Sequence, residues 1–123
     1  MADEAKPLFW LGASRKKLSA FPEEVKDVMG YALYLAQAGE KSPAAKPLKG
    51  FGGAGVLEIV DDHDGDTFRA VYTVRFADAV YVLHAFQKKS RSGIATPAKE
   101  VETIKGRLKL AEAHHRGGEE RKK

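Results

Sequence analysis

The chain has 123 residues, a net charge of +4, 43% hydrophobic and 31% charged residues, the balance of one folded domain rather than of a disordered segment. Cysteine is absent, which excludes disulfide frameworks, thiolate zinc sites and cysteine nucleophiles. No apolar run approaches the roughly 20 residues of a membrane span.

The opening residues, Met1-Ala2-Asp3-Glu4-Ala5-Lys6, hold two acids and no apolar stretch behind them, so no secretory signal is expected and a cytoplasmic protein without membrane partners is. Charge is unevenly spread. Residues 1–83 carry 10 Lys/Arg against 12 Asp/Glu, whereas 84–123 carry 11 against 5. Basic charge gathered in the last third points to an anionic partner, most often nucleic acid, or else to a solvated basic helix and tail.

In chain order, Pro7-Leu8-Phe9-Trp10-Leu11 before Gly12 suits a short strand, and Ser14 offers an N-cap to a helical turn through Leu18. Pro22, placed as the first helical residue, and Glu23 and Glu24 near the positive end of the dipole open an amphipathic helix over about 22–38. Its stripe is Val25, Val28, Met29, Ala32, Leu35 and Ala36, and Gly39 stops it. Residues 40–55, with Pro43, Pro47 and four glycines, read as a connection, since no phosphate-loop pattern fits them. Val56 to Val60, Thr67 to Phe76 and Ala79 to Phe86 read as three strands of an antiparallel meander. Asp61 to Asp66 reads as the first turn rather than a calcium loop.

Thr96-Pro97 opens the last helix as N-cap and first residue. Its stripe is Val101, Ile104, Leu108 and Ala111, and Gly117-Gly118 is expected to end it. The expected fold is α+β: a small antiparallel sheet with N-terminal helices packed on it and a C-terminal helix, in the order β-α-α-β-β-β-α. Residues 1–118 form one domain, and 119–123 a flexible tail.

The four histidines have no metal-ligand spacing, and His114 and His115 point in different directions from a helix, so neither metal nor cofactor is expected. Arg69 and Arg75 share one strand face by even spacing, with Val71 and Thr73 between them; Arg69 is expected to face outward, opposite Phe68 and Ala70, and two such cations need anions or water. Gln87-Lys88-Lys89-Ser90-Arg91 then carries the next strand into a basic loop.

These residues carry a resemblance. Thr67-Phe68-Arg69-Ala70-Val71-Tyr72-Thr73-Val74, Leu83-His84-Ala85-Phe86-Gln87-Lys88-Lys89 and Thr96-Pro97 resemble the phage-derived HigB-like branch of the RelE/ParE toxin superfamily. In that branch an arginine-bearing strand is followed by an L-H-A-F-x-K-K strand end and a T-P helix start. Ser14 to Leu18, Phe21 to Val25, and Lys46-Pro47-Leu48-Lys49 before Leu57-Glu58-Ile59 fit the same pattern, so the likeness spans about residues 8–116.

The resemblance implies the toxin of a type II toxin–antitoxin pair. Such a toxin is a metal-independent, ribosome-dependent mRNA endoribonuclease that inhibits translation and is silenced by a helix-turn-helix antitoxin. Its partners would be that antitoxin, the ribosome and mRNA. Arg69 would polarise the scissile phosphate, and Lys88 or Lys89 would protonate the leaving oxygen. Lys46, Lys49, Arg75 and Arg91 would contact RNA, with Phe86 stacking on a base. His84 and His115 are candidate acid–base groups, while the family's tyrosine or histidine–aspartate set is not placed on particular residues here, which leaves the general base unassigned. RNA brings its own 2′-hydroxyl nucleophile, so cations suffice to stabilise the phosphate. ParE-like relatives, which inhibit DNA gyrase by binding alone, and a non-toxic binding module are the alternatives on the same fold. Tyr31 and Tyr34 lie off the helix stripe, and would face either an antitoxin or the chain's own 40–55 segment.

Overall fold

The computed structural model describes residues 5–53, 55–89 and 96–122. The chain runs β1 (Leu8–Trp10), α1 (Ser14–Ser19), α2 (Glu23–Gln37), β2 (Ala45–Pro47), β3 (Val56–His63), β4 (Asp66–Thr73), β5 (Val80–Lys89) and α3 (Ala98–Lys122). The strands form one sheet in the order β1-β5-β4-β3-β2. The expected α+β meander is present as β3-β4-β5, antiparallel throughout. The sheet as a whole is mixed, because β1 pairs in parallel with β5, Leu8 opposite Val80 and Trp10 opposite Val82.

Strand alternation divides the core in two. Leu57, Ile59, Phe68, Ala70, Tyr72 and Val82 pack against Leu18 of α1 and Val25, Met29, Ala32 and Ala36 of α2. Val56, Val71, Tyr81 and Leu83 face the other way, toward Ile104 and Ala111 of α3. Helices on both faces leave the inner strand β5 no solvent side, which is why it reads as a nearly unbroken apolar run. Each fully buried chain such as Met29 or Ile59 contributes about 1.5–3 kcal/mol of transfer free energy.

Two local features set what faces α3. Asp64 and Gly65 both have positive φ, 51° and 85°, the two-residue turn that matches strand twist. It pairs His63 with Asp66, and hence Glu58 with Val71 and Val60 with Arg69, so Glu58 and Arg69 stand on the same face. Farther along, the β4–β5 register slips: Val71 pairs with His84 and Tyr72 with Val82. The bulged residue, Leu83, turns both itself and His84 toward α3.

Several expectations change at element ends. Ser14 does not cap α1. It is the first helical residue, buried, and its Oγ donates to the Val82 carbonyl at 3.4 Å. Pro22 is the N-cap of α2 rather than its first residue. Residues 45–47, read as loop, form β2 against β3. An edge strand tolerates Pro47, which has no N–H to pair. Gly117 and Gly118 do not stop α3, which continues to Lys122. A glycine ends a helix by adopting positive φ, and neither does so. Among the described residues no helix is long and apolar enough to cross a membrane.

Candidate functional site

A polar seam lies where the first half of α3 crosses the sheet. Its floor runs obliquely over four strands. Lys46 stands opposite Glu58, Glu58 is diagonal to Arg69 through the β3–β4 register, and Arg69 and Thr67 pair with Phe86 and Lys88. Diagonal neighbours on one face lie about 7–8 Å apart, within reach of long side chains.

Arg69 is the centre of this row, and it does not face solvent as expected. It is only 3% exposed. Its Nη1 donates to Glu58 Oε1 at 3.1 Å and to Thr96 Oγ1 at 3.2 Å. Helix α3 covers this face of the sheet, so an arginine read as outward from alternation alone is enclosed. Thr96 accordingly serves as a partner for Arg69, while the start of α3 is tied through the Pro97 carbonyl to the Glu100 and Val101 N–H groups.

Beside this pair sits His84, also buried. Its Nε2 lies 2.6 Å from Glu100 Oε1, and Arg107 Nη1 lies 3.2 Å from its Nδ1 and 3.0 Å from the Leu83 carbonyl. A guanidinium only donates, so Nδ1 must accept and the proton sits on Nε2, donated to Glu100. Burial is the main cause that pushes the imidazole below its ordinary value of 6.5; the Glu100 hydrogen bond and charge oppose it, while Arg107 and Lys17 add to the fall. Neutral His84 is thus tied at both nitrogens, and neither is available as a ready acid or base.

Phe86 stacks on the His84 ring with centroids 5.1 Å apart and is 5% exposed. It supports the seam from within, which corrects its expected role of stacking on an RNA base. Lys46 and Lys49 are exposed and Lys88 half-buried. Lys89 ends β5, and Arg91 lies outside the described residues.

Two other candidates are elsewhere. Arg75, beyond the end of β4, pairs with Glu112 of α3 instead of sharing a free basic face with Arg69. His115 bonds Asp78 at 2.6 Å and stacks on Phe76 at 4.3 Å. It is fifteen residues along α3 from Glu100, about 22 Å, too far to join the seam.

Sequence reasoning missed the seam's acidic half, Glu58 and Glu100, and also Arg107. Glu58 was within reach: an Asp-Gly turn at 64–65 fixes the hairpin register and places it diagonal to Arg69. Glu100 and Arg107 flank Ile104 at helical spacing, but charged residues on an apolar stripe carry no signal until their partners are known.

The arrangement can hold a phosphate between cations, with a carboxylate beside it to accept a proton. Of known families, the model described as Phage derived protein Gp49-like (DUF891) matches residues 16–109. No curated protein and no solved structure matches the chain.

Proposed function

The chain belongs to the phage-derived Gp49-like family, a RelE/ParE-like toxin family, and on that premise we propose that it is the toxin of a toxin–antitoxin pair, a HigB-like endoribonuclease that cuts mRNA on the ribosome. The observation that carries this reading is the buried Glu58–Arg69 pair, at 3.1 Å, between Lys46 on one side and Lys88 on the other.

The chemistry follows from those groups. An mRNA phosphate lies between the exposed Lys46 and the half-buried Lys88, and the enclosed Arg69 acts on it as a fixed positive charge that stabilises the extra negative charge of the five-coordinate phosphorus. The neighbouring 2′-oxygen attacks phosphorus while its proton passes to the Glu58 carboxylate. The bond from phosphorus to the 5′-oxygen breaks, and Lys88 or Lys89 supplies the proton that the leaving oxygen takes. The products are a 2′,3′-cyclic phosphate and a 5′-hydroxyl end. Lys46 and Lys49 hold the RNA backbone. Glu58 fills the general-base role that sequence alone left empty.

One observation favours the second reading, gyrase inhibition by binding: Arg69 is already neutralised by Glu58. A translating extract separates the two. New mRNA ends bearing cyclic phosphate are expected with the native chain and are expected to vanish with Lys88→Ala or Glu58→Gln. Intact mRNA in the extract, with the supercoiling activity of added gyrase lost instead, would transfer the chain to the gyrase class.

A further inference from the structure

Away from the seam, β1 and the second half of α3 enclose a groove of about 360 Å³, at the lower end of small-molecule sites. Phe9 and Leu11 form one wall, Leu110 and His114 the other, and Tyr81 the floor, while Trp10 between them turns its side chain to the opposite core. Its rings are already ordered against one another. Phe9 stacks on Tyr81 with centroids 5.0 Å apart and meets His114 at 4.8 Å with the rings tilted 59°, and the Tyr81 hydroxyl lies 2.7 Å from His114 Nδ1. Leu110 is 60% exposed, so an apolar lip stands open to solvent.

Cations outnumber acids around this groove, where the Asp78 carboxylate acts on Tyr81. None of its lining residues is acidic. At its inner end Gly12, with φ of +57°, lies against the Arg107 guanidinium so closely that a β-carbon there would sit 2.5 Å from Arg107 Cζ. The exposed Arg15, Lys16 and Lys17 follow within five residues on α1. Lys17 is near enough to influence His84, so cations continue from the groove back to the seam.

The geometry points to this groove as a stacking site for an unpaired base of single-stranded RNA, held by aromatic and apolar faces while Arg107 and the α1 cations hold its backbone. Aromatic platforms beside cations are how proteins take single strands without reading sequence. A duplex keeps its base faces stacked internally and has none to offer. The inference rests on the ribonuclease reading for the identity of the strand. Ten residues of α3, about 15 Å, separate Leu110 from Glu100, so the base would belong to a nucleotide a short way along the strand from the one being cut.

Trp10, the chain's single tryptophan, packs its side chain across the sheet from the groove, so binding is read as quenching of a fluorophore carried by the probe. The probe is a short single-stranded 2′-O-methyl oligonucleotide, which cannot be cleaved for want of a free 2′-hydroxyl. Saturable quenching is expected with the single strand and not with the matched duplex. Leu110→Glu, an exposed substitution that places a carboxylate at the lip, is expected to weaken binding about tenfold or more with an unchanged melting curve. Lys88→Ala is expected to stop cleavage while leaving the quenching in place, so the groove and the cleavage site fail separately. Equal quenching with the duplex, or unaltered affinity in Leu110→Glu, would overturn the assignment. Quenching of a labelled co-purified partner protein but not of the oligonucleotide would likewise overturn it, and make the groove a protein contact.

Discussion

At the scale of single residues, the Arg69–Glu58 pair joins stability to chemistry. Removing one partner of a buried ion pair strands the other, at a cost of about 3–5 kcal/mol. Arg69→Ala is therefore expected to lower the thermal midpoint by more than about 10 °C, measured by calorimetry, rather than leave it unchanged as an exposed arginine would. A midpoint within 2 °C of the native one, on the order of a surface substitution, would show that Glu58 finds other partners. His84 yields a pH prediction. Its folded-state value lies below 6.5, so the unfolded chain binds the extra proton first. The stability it contributes is full above 6.5 and is lost as pH falls through the folded value. Arg107→Ala removes one of the depressing charges and is expected to raise the His84 titration midpoint, followed by its ring NMR signals; an unmoved midpoint would break the proposed contact. Some of this was legible beforehand. Arg69 and Lys88 were visible as strand cations; Glu58 was missed although the hairpin register places it, and the covering of Arg69 depends on α3, whose docking leaves no trace in strand alternation.

At the scale of elements, α2 presents two unlike faces. Val25, Met29, Ala32 and Ala36 are buried, while Tyr31 and Tyr34 stay 60% and 61% exposed and stack on each other, centroids 6.3 Å apart. They do not bury themselves under the 40–55 segment. Paired exposed tyrosines suit a protein interface, which under the toxin reading is the antitoxin's. The double variant Tyr31→Ala/Tyr34→Ala is expected to weaken antitoxin binding at least tenfold with stability changed by no more than about 0.5 kcal/mol. Unchanged affinity would move neutralisation to another face. In α3, Gly106 has no atom within 4 Å of where a β-carbon would stand. Gly106→Ala is expected to stabilise the chain by about 1 kcal/mol, read as a higher thermal midpoint. Helices and long strands were legible because their periodicity and Pro/Gly punctuation agree. Strand β2 was not, because three residues hold too little pattern to outweigh the prolines and glycines around them. Nor was the path of α3 past Gly117 and Gly118, since residue type permits a positive φ without requiring one.

At the scale of the molecule, one sheet with helices on both faces leaves its chemistry at the α3 seam, where the proposed cleavage uses side chains alone. Cleavage is expected to persist after a chelator treatment followed by restoring magnesium for the ribosome; a strict need for added zinc or manganese would refute that mechanism. The fold class was readable from element order. The parallel place of β1 was not, since three residues cannot state which strand they will join. That pairing of Leu8–Trp10 with Val80–Val82 also has a consequence in time. Synthesis runs from the N-terminus, and a strand made among the first ten residues waits some seventy more for its neighbour. Only then can Thr96 and α3 arrive to close over Arg69. Long-range closure of this kind comes late in folding, so the growing chain carries its first cations well before α3 can enclose Arg69.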